Sequence, residues 1–292
     1  MSTSVAEPAQ RRQVLGALGR LQARRYARHP VFVVAVLLVL LGIFQAVTAP
    51  DADNGGEWDA TLSFVIWLGL SGVIVGYRLT VTEDKAIDLL PSAPTNQAVR
   101  TQALFIACLV PVLATVALMA LYGLANLAVP ETSAAPFHLR PDTGEIGWPD
   151  YLASVLEAPV SAFGGAALGV VVARWARVTG AGVLAVILLF LVEVIALGAG
   201  EGAVGDALWA RLLVNLMPYR YWAFQGAGDG VYTTMAPGSA VGHIVYAIAL
   251  CGLAVTAGIL KGATGTLRTS WIRTGAILFG IAAVSYLWAV FG

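Results

Sequence analysis

The sequence has few charged residues, two cysteines, three histidines and no loop for nucleotide phosphates. Only 12% of its 292 residues are charged and 58% are hydrophobic, which excludes a soluble domain of ordinary composition. Cys108 and Cys251 lie inside apolar runs, a pattern typical of small core residues rather than of a disulfide framework. The histidines are scattered without the spacing of metal or haem ligands. Neither a Walker A sequence (G-x-x-x-x-G-K-S/T) nor a nucleophilic triad occurs, so we expect no metal, no cofactor and no catalytic residue in this chain.

What the sequence does contain is a series of apolar runs, each long enough, or nearly so, to cross ~30 Å of hydrocarbon. In lipid such runs must be helical, because an open strand would leave backbone groups unpaired. The pattern predicts an all-α integral membrane protein with six to seven transmembrane helices. The last run is the shortest, and a hairpin in the inner leaflet is the alternative to a full span there. The runs cover residues 31–49, 61–80, 98–127, 151–173, 180–199, 241–260 and 275–291.

Residues 1–30 are predicted to be a cytoplasmic tail followed by an amphipathic basic helix. Val14, Leu18 and Leu21 repeat at helical spacing, which is typical of a helix lying on an anionic membrane face. The arginines on it are Arg12, Arg20, Arg24, Arg25 and Arg28. Residues 31–292 then form the transmembrane domain.

The segment 81–97 joins the second and third runs and is charged and rich in turn residues. A short helix there is expected to end before Pro91, because proline lacks an amide hydrogen and disfavours helix in the preceding residue. Asn96 can accept a hydrogen bond from free backbone N–H groups at the start of the next helix. A short helix at the membrane surface is suited to passing force to a soluble partner. An ordinary cytoplasmic loop is the alternative.

This acidic stretch, with its Leu-Leu-Pro-Ser-Ala-Pro sequence and basic entry into the third run, resembles the coupling segment of type-2 ABC exporter permeases. That family includes daunorubicin-type drug, antibiotic and polysaccharide exporters. The resemblance implies docking on a separate ATPase subunit, which would bind ATP and Mg, and pairing with a second permease subunit, identical or related. The family typically has six spans, so the run at 275–291 is a departure. The matching residues are Glu83, Asp84, Leu89, Leu90, Pro91, Ser92 and Pro94.

Residues 200–240 contain no apolar piece long enough to span a membrane. An apolar stripe that includes Leu208, Leu212 and Leu216 predicts one or two short re-entrant helices in the outer leaflet, before the sixth span. Type-2 exporter permeases have similar short outer helices. A less specific external flap is the alternative.

Two acidic residues, Glu157 and Glu193, fall within apolar runs. A carboxylate at the bilayer centre costs at least ~2.5 kcal/mol and usually faces protein or water. Each glutamate is either a cation-recognising or proton-sensitive group on a substrate path, or a protonated or hydrogen-bonded structural residue. Aromatic residues within 200–240 can contact an amphipathic substrate, or they can form a belt at the membrane interface instead. They are Trp209, Tyr219, Tyr221 and Trp222.

The basic residues are distributed unevenly between the two sides of the predicted spans. With the N terminus inside, fourteen of the 17 lysines and arginines are internal. The positive-inside rule therefore predicts a multi-pass protein with a cytoplasmic N terminus. The resemblance to bacterial exporter permeases implies that the membrane is the bacterial cytoplasmic membrane.

These observations lead to one expected function and two alternatives. We expect the membrane-spanning permease subunit of an ATP-driven exporter, with membrane lipid and an ATPase as partners and no nucleic acid. Its substrate would be a hydrophobic or amphipathic drug, antibiotic, peptide or lipid. The first alternative is a secondary transporter driven by an ion gradient, with Glu193 as coupling site, although no internal repeat supports it. The second is a membrane scaffold subunit that transports nothing.

Overall fold

The structure is a computed structural model that describes residues 8–48, 64–88, 96–128, 148–176, 178, 180–203, 208–216, 222–227, 230–235 and 238–292. Almost all of these residues are helical. A π-helical turn at Ile66–Leu70 leads directly into the α-helix that begins at Ser71. The helices are α1 (Pro8–Ala27), α2 (Pro30–Thr48), α3 (Ser71–Asp88), α4 (Gln97–Ala107), α5 (Leu109–Ala128), α6 (Trp148–Trp175), α7 (Ala181–Ala203), α8 (Leu208–Leu216), α9 (Ala240–Leu260) and α10 (Gly265–Phe291).

Each of the seven apolar runs carries a helix, and several of these helices have the length and composition of a membrane span. Four qualify among the described residues: Gln97–Ala125, Val155–Trp175, Ala240–Leu260 and Gly265–Phe291. Helices α1 and α2 meet at a bend of 57° and would add a fifth if counted together. The chain is therefore a predominantly helical protein suited to a membrane, as its composition predicts. The count of six to seven spans remains a prediction.

Helix α1 confirms that the basic N-terminal segment is helical. Gln22 and Tyr26 are buried on one face, while Arg20, Arg24 and other arginines of this helix are exposed. The helix packs closely on α4, since a Cβ atom on Gly19 would lie 3.0 Å from the Ile106 side chain. The face that contacts the bundle therefore contains Gly19, Gln22 and Tyr26, whereas Leu21 of the predicted apolar stripe is 45% exposed.

The centre of the fold is a contact between the backbones of α3 and α6, which run in the same direction. A Cβ atom on Gly165 would lie 2.1 Å from the carbonyl oxygen of Gly69, and one on Gly169 would lie 2.2 Å from that of Val73. Gly76 approaches Ala166 equally closely. Small residues allow membrane helices to pack at such distances. Glycine at the contact therefore allows the two helix backbones to approach closely.

Within residues 200–240, the structure contains the predicted short helix but also a hairpin that was not predicted. Helix α8 is the expected short helix, but Trp222–Ala227 and Gly230–Met235 form an antiparallel hairpin, β1 and β2, with Trp222 opposite Met235. The interpretation of residues 200–240 as helices alone is wrong at this point. The β-branched and aromatic residues of β2 favour a strand, and glycines flank the turn.

Large apolar side chains cover the outer faces of α7 and α10. Such continuous apolar surface is what lipid-facing helices present. Exposed examples are Leu184, Ile187, Leu191 and Ile195 on α7 and Ile277, Phe279, Val284 and Leu287 on α10.

Candidate functional site

A group of charged residues, here called the charge cluster, lies where α3 and α6 end and α4 begins. It consists of Glu83, Asp84, Arg100 and Arg174. The Arg174 Nη1 donates a hydrogen bond to Asp84 Oδ1, and its Nη2 lies 3.5 Å from Glu83 Oε2. Arg174 and Glu83 are 3% and 8% exposed. The described part of the segment 81–97 is thus bound to α6 by ionic contacts with the buried guanidinium group of Arg174.

The glycine contact between α3 and α6 explains why these charges meet. Because the two helices run in the same direction, the pairing of Gly69 with Gly165 continues toward the C-terminal ends of both. Glu83 and Asp84 lie in the last turns of α3, and Arg174 lies in the last turn of α6. The packing therefore delivers opposite charges to the same end of the bundle.

Burial and neighbouring arginines act in opposite directions on Glu83. Burial raises the pKa of its carboxyl group, whereas the positive charges of Arg174, Arg100 and Arg25 lower it, and burial has the larger effect. Arg100 belongs to the first turn of α4 and Arg25 to the last turn of α1. Four helices thus contribute charge around one buried carboxyl group.

A second buried polar contact connects α6 and α9 toward the other end of the bundle. Glu157 Oε1 lies 2.8 Å from His243 Nδ1, and both side chains are almost completely buried. Pro159 interrupts the backbone hydrogen bonding of α6 just after Glu157. Glu157 is thus hydrogen-bonded in the core, a position that fits either predicted role, a proton-sensitive group or a structural residue. Its partner is a histidine that the sequence pattern did not connect with it.

Two tyrosines bind the short helix α8 to the bundle beside this pair. The Tyr246 hydroxyl donates to the carbonyl oxygen of Leu216 at 3.0 Å, and the Tyr286 hydroxyl donates to that of Leu212 at 2.8 Å. The Tyr246 ring lies 6.1 Å from the His243 ring and 5.5 Å from that of Tyr286. A row of aromatic rings therefore connects the buried pair with α8.

The other predicted site residues are distributed over the chain. Glu193 is half-buried in α7, Trp209 is exposed on α8 and Trp222 begins β1. Among the described residues, no group of three or more His, Cys, Asp or Glu side chains has the arrangement of a metal site. Leu89, Leu90, Pro91, Ser92, Pro94, Tyr219 and Tyr221 lie outside the described residues.

Sequence reasoning missed Arg174, Arg100 and His243 as members of these sites. Two of them are far in sequence from their partners: Arg174 is 90 residues from Asp84, and His243 is 86 residues from Glu157. Their one visible signal was a polar side chain at or near the end of an apolar run. Comparisons with protein-family models, with curated proteins and with solved structures each find no match to this chain. The function is therefore argued from the sites themselves.

Proposed function

We propose that this chain is the membrane-spanning permease subunit of an ATP-driven ABC exporter in a bacterial cytoplasmic membrane. It has six to seven spans, with the N terminus and the charge cluster on the cytoplasmic side. It pairs with a second permease subunit and with separate ATPase subunits that bind ATP and Mg. The exported substrate is hydrophobic or amphipathic, such as a drug, an antibiotic, a peptide or a lipid.

The observation that carries this proposal is the contact of Arg174 with Glu83 and Asp84. An exporter permease must transmit movement from its ATPase-docking segment to the helices around the substrate. Glu83 and Asp84 are two of the residues that carry the family resemblance, and Arg174, which contacts both, belongs to a central helix. Separating a buried ion pair costs about 3–5 kcal/mol when one partner is left alone. Displacement of the docking segment would therefore displace α6 as well.

The first experiment is co-purification of the chain with a candidate ABC ATPase subunit, sought first among the products of neighbouring genes. We expect a stable complex whose ATPase activity responds to the permease. The double change Leu89→Asp with Leu90→Asp should release the ATPase, because an apolar docking contact would then bury charge. Leu89→Ile with Leu90→Ile is the matched control and should retain the complex. Purification of the wild-type chain without any bound or stimulated ATPase would contradict the proposal.

A transporter driven by an ion gradient is the second candidate, and the Glu157–His243 contact favours it. Two titratable side chains at hydrogen-bond distance inside a helical bundle are a common arrangement in proton-driven transport. In proteoliposomes without ATPase, this candidate predicts substrate accumulation under an imposed pH gradient and its loss in Glu157→Gln or Glu193→Gln. Transport that needs ATPase and ATP, and that persists without the gradient, supports the exporter instead.

A further inference from the structure

The charge cluster contains guanidinium N–H groups that the described residues do not satisfy. Nε and Nη1 of Arg100 and Nε of Arg174 are buried and have no hydrogen-bond partner among the described residues, whereas Nη2 of Arg174 has the ionic contact with Glu83 Oε2 at 3.5 Å. An arginine in a protein keeps its charge, so it cannot relieve the cost of burial by losing a proton. A buried donor without an acceptor costs about 1–3 kcal/mol, and more when it is charged. The three donors on Arg100 Nε, Arg100 Nη1 and Arg174 Nε therefore require an acceptor from outside the described residues.

The charge balance indicates that this acceptor is an anion. Arg25, Arg100 and Arg174 all act electrostatically on Glu83, and their three positive charges face the two carboxyl groups of Glu83 and Asp84. Asp84 is already bonded to Arg174. Water can accept the hydrogen bonds but leaves the excess positive charge, whereas an oxyanion satisfies both.

We propose that the charge cluster, together with Arg25, binds the phosphate group of an anionic phospholipid. Guanidinium groups match phosphate oxygens in charge and in the spacing of their paired donors. Basic pockets between membrane helices are established binding sites for acidic headgroups. The proposal does not depend on the exporter function, because it concerns the composition of the membrane and not the substrate.

The surroundings of the cluster favour a lipid over a soluble anion. Helix α1, which carries Arg25, also presents exposed arginines that attract an anionic leaflet. Leu21 on α1 and Ile106 on α4 are exposed apolar side chains close to where these two helices pack, at Gly19. A phospholipid has a phosphate for the arginines and acyl chains for this apolar surface, whereas free phosphate matches only the first.

The test measures lipid binding to the full-length chain purified in a neutral detergent. Native mass spectrometry and thermal unfolding are compared after addition of phosphatidylglycerol, phosphatidylcholine or inorganic phosphate. We expect phosphatidylglycerol alone to be retained and to raise the unfolding temperature. Arg100→Gln should weaken its binding about tenfold or more, the equivalent of one charge-assisted hydrogen bond. Arg268→Gln, which changes an exposed arginine of α10, is the matched control and should bind like the wild type.

A structural role for Arg100 would give a different result. Arg100→Gln removes a buried charge, so without lipid it should unfold at the same temperature as the wild type or higher. A lower unfolding temperature with unchanged phosphatidylglycerol binding would overturn the proposal. If Arg100→Gln does not fold, Arg100→Lys keeps the charge but loses the paired donors, and weaker binding is again expected. Equal retention of inorganic phosphate, or loss of ATPase binding alone, would assign the cluster to a soluble anion or to a protein partner and reject the lipid.

Discussion

At the scale of single residues, Arg174 has the greatest structural consequence. A buried ion pair is a weak source of net stability, because desolvation of both charges offsets most of their attraction. Removing one partner is different, since the remaining charge stays buried without compensation. The importance of Arg174 therefore lies in what its loss leaves behind at Glu83, which is 8% exposed.

We expect Arg174→Ala to lower the free energy of unfolding by about 3–5 kcal/mol, because it leaves the Glu83 carboxyl group buried and unpaired. Adding Glu83→Gln to this variant should restore part of the loss, since the second change removes the uncompensated charge. Thermal unfolding in detergent measures both effects, with the exposed Arg268→Ala as control. Equal unfolding temperatures for the single and double variants would show that the two side chains do not interact.

The sequence predicted the acidic residue of each buried pair but not its basic partner. Glu157 was recognised because a carboxyl group within an apolar run is costly, and Glu83 and Asp84 because they belong to the acidic stretch that resembles a coupling segment. Arg174 and His243 were not connected with them, because a contact between distant helices depends on how the helices pack. Sequence periodicity shows which face of a helix is apolar but not which helix it meets.

At the scale of helices and strands, the contact between α3 and α6 tolerates no side chain. We expect Gly165→Val to destabilise the protein strongly, because even its Cβ atom would lie 2.1 Å from the Gly69 carbonyl oxygen. Gly123→Ala is the control, since no atom lies within 4 Å of the new Cβ there. The control should be neutral or stabilising by about 0.5–1 kcal/mol, because glycine is the costlier residue in a helix. Similar unfolding temperatures for both variants would contradict the packing.

The position of α8 depends on two tyrosine hydroxyls, and their removal should release this helix. We expect Tyr246→Phe with Tyr286→Phe to weaken the docking of Leu208–Leu216 by roughly 0.5–1.5 kcal/mol per lost hydrogen bond. Hydrogen exchange should then be faster in α8 and unchanged in α6. Faster exchange throughout the bundle would instead mean that the tyrosines stabilise the whole fold.

The success of sequence reasoning at this scale follows from the length of each signal. The seven apolar runs are long and continuous, so a helix was found in each of them. The hairpin at Trp222–Ala227 and Gly230–Met235 is short. The apolar stripe of the preceding α8 therefore led to a helical interpretation of all of residues 200–240. The bend of 57° between α1 and α2 lies at the predicted boundary between the interfacial helix, which ends at residue 30, and the first apolar run.

At the scale of the whole molecule, an odd or even number of spans decides on which side of the membrane Gly292 lies. If all seven runs cross the membrane, the exposed residues Gln13 in α1 and Gly292 lie on opposite sides. Gln13→Cys should then be protected from a membrane-impermeant maleimide in intact cells, while Gly292→Cys should react. The native Cys108 is buried and Cys251 is half-buried, so neither should contribute much signal. Protection of both new cysteines would mean that the last run returns to the inner side.

Helix α6 is held near both ends, by Arg174 at one and by Glu157 toward the other. These residues are seventeen positions apart, or about 25 Å along a helix that rises about 1.5 Å per residue. A continuous helix over this length is a stiff rod, and α3 supports much of it by direct backbone contact. The helix therefore cannot absorb a shift of an ångström at the Arg174 end by bending before Pro159. At Pro159 a backbone hydrogen bond is missing, so the helix bends there most easily. Bending at that proline would convert a shift along the axis of α6 into a tilt of its N-terminal part beside α9.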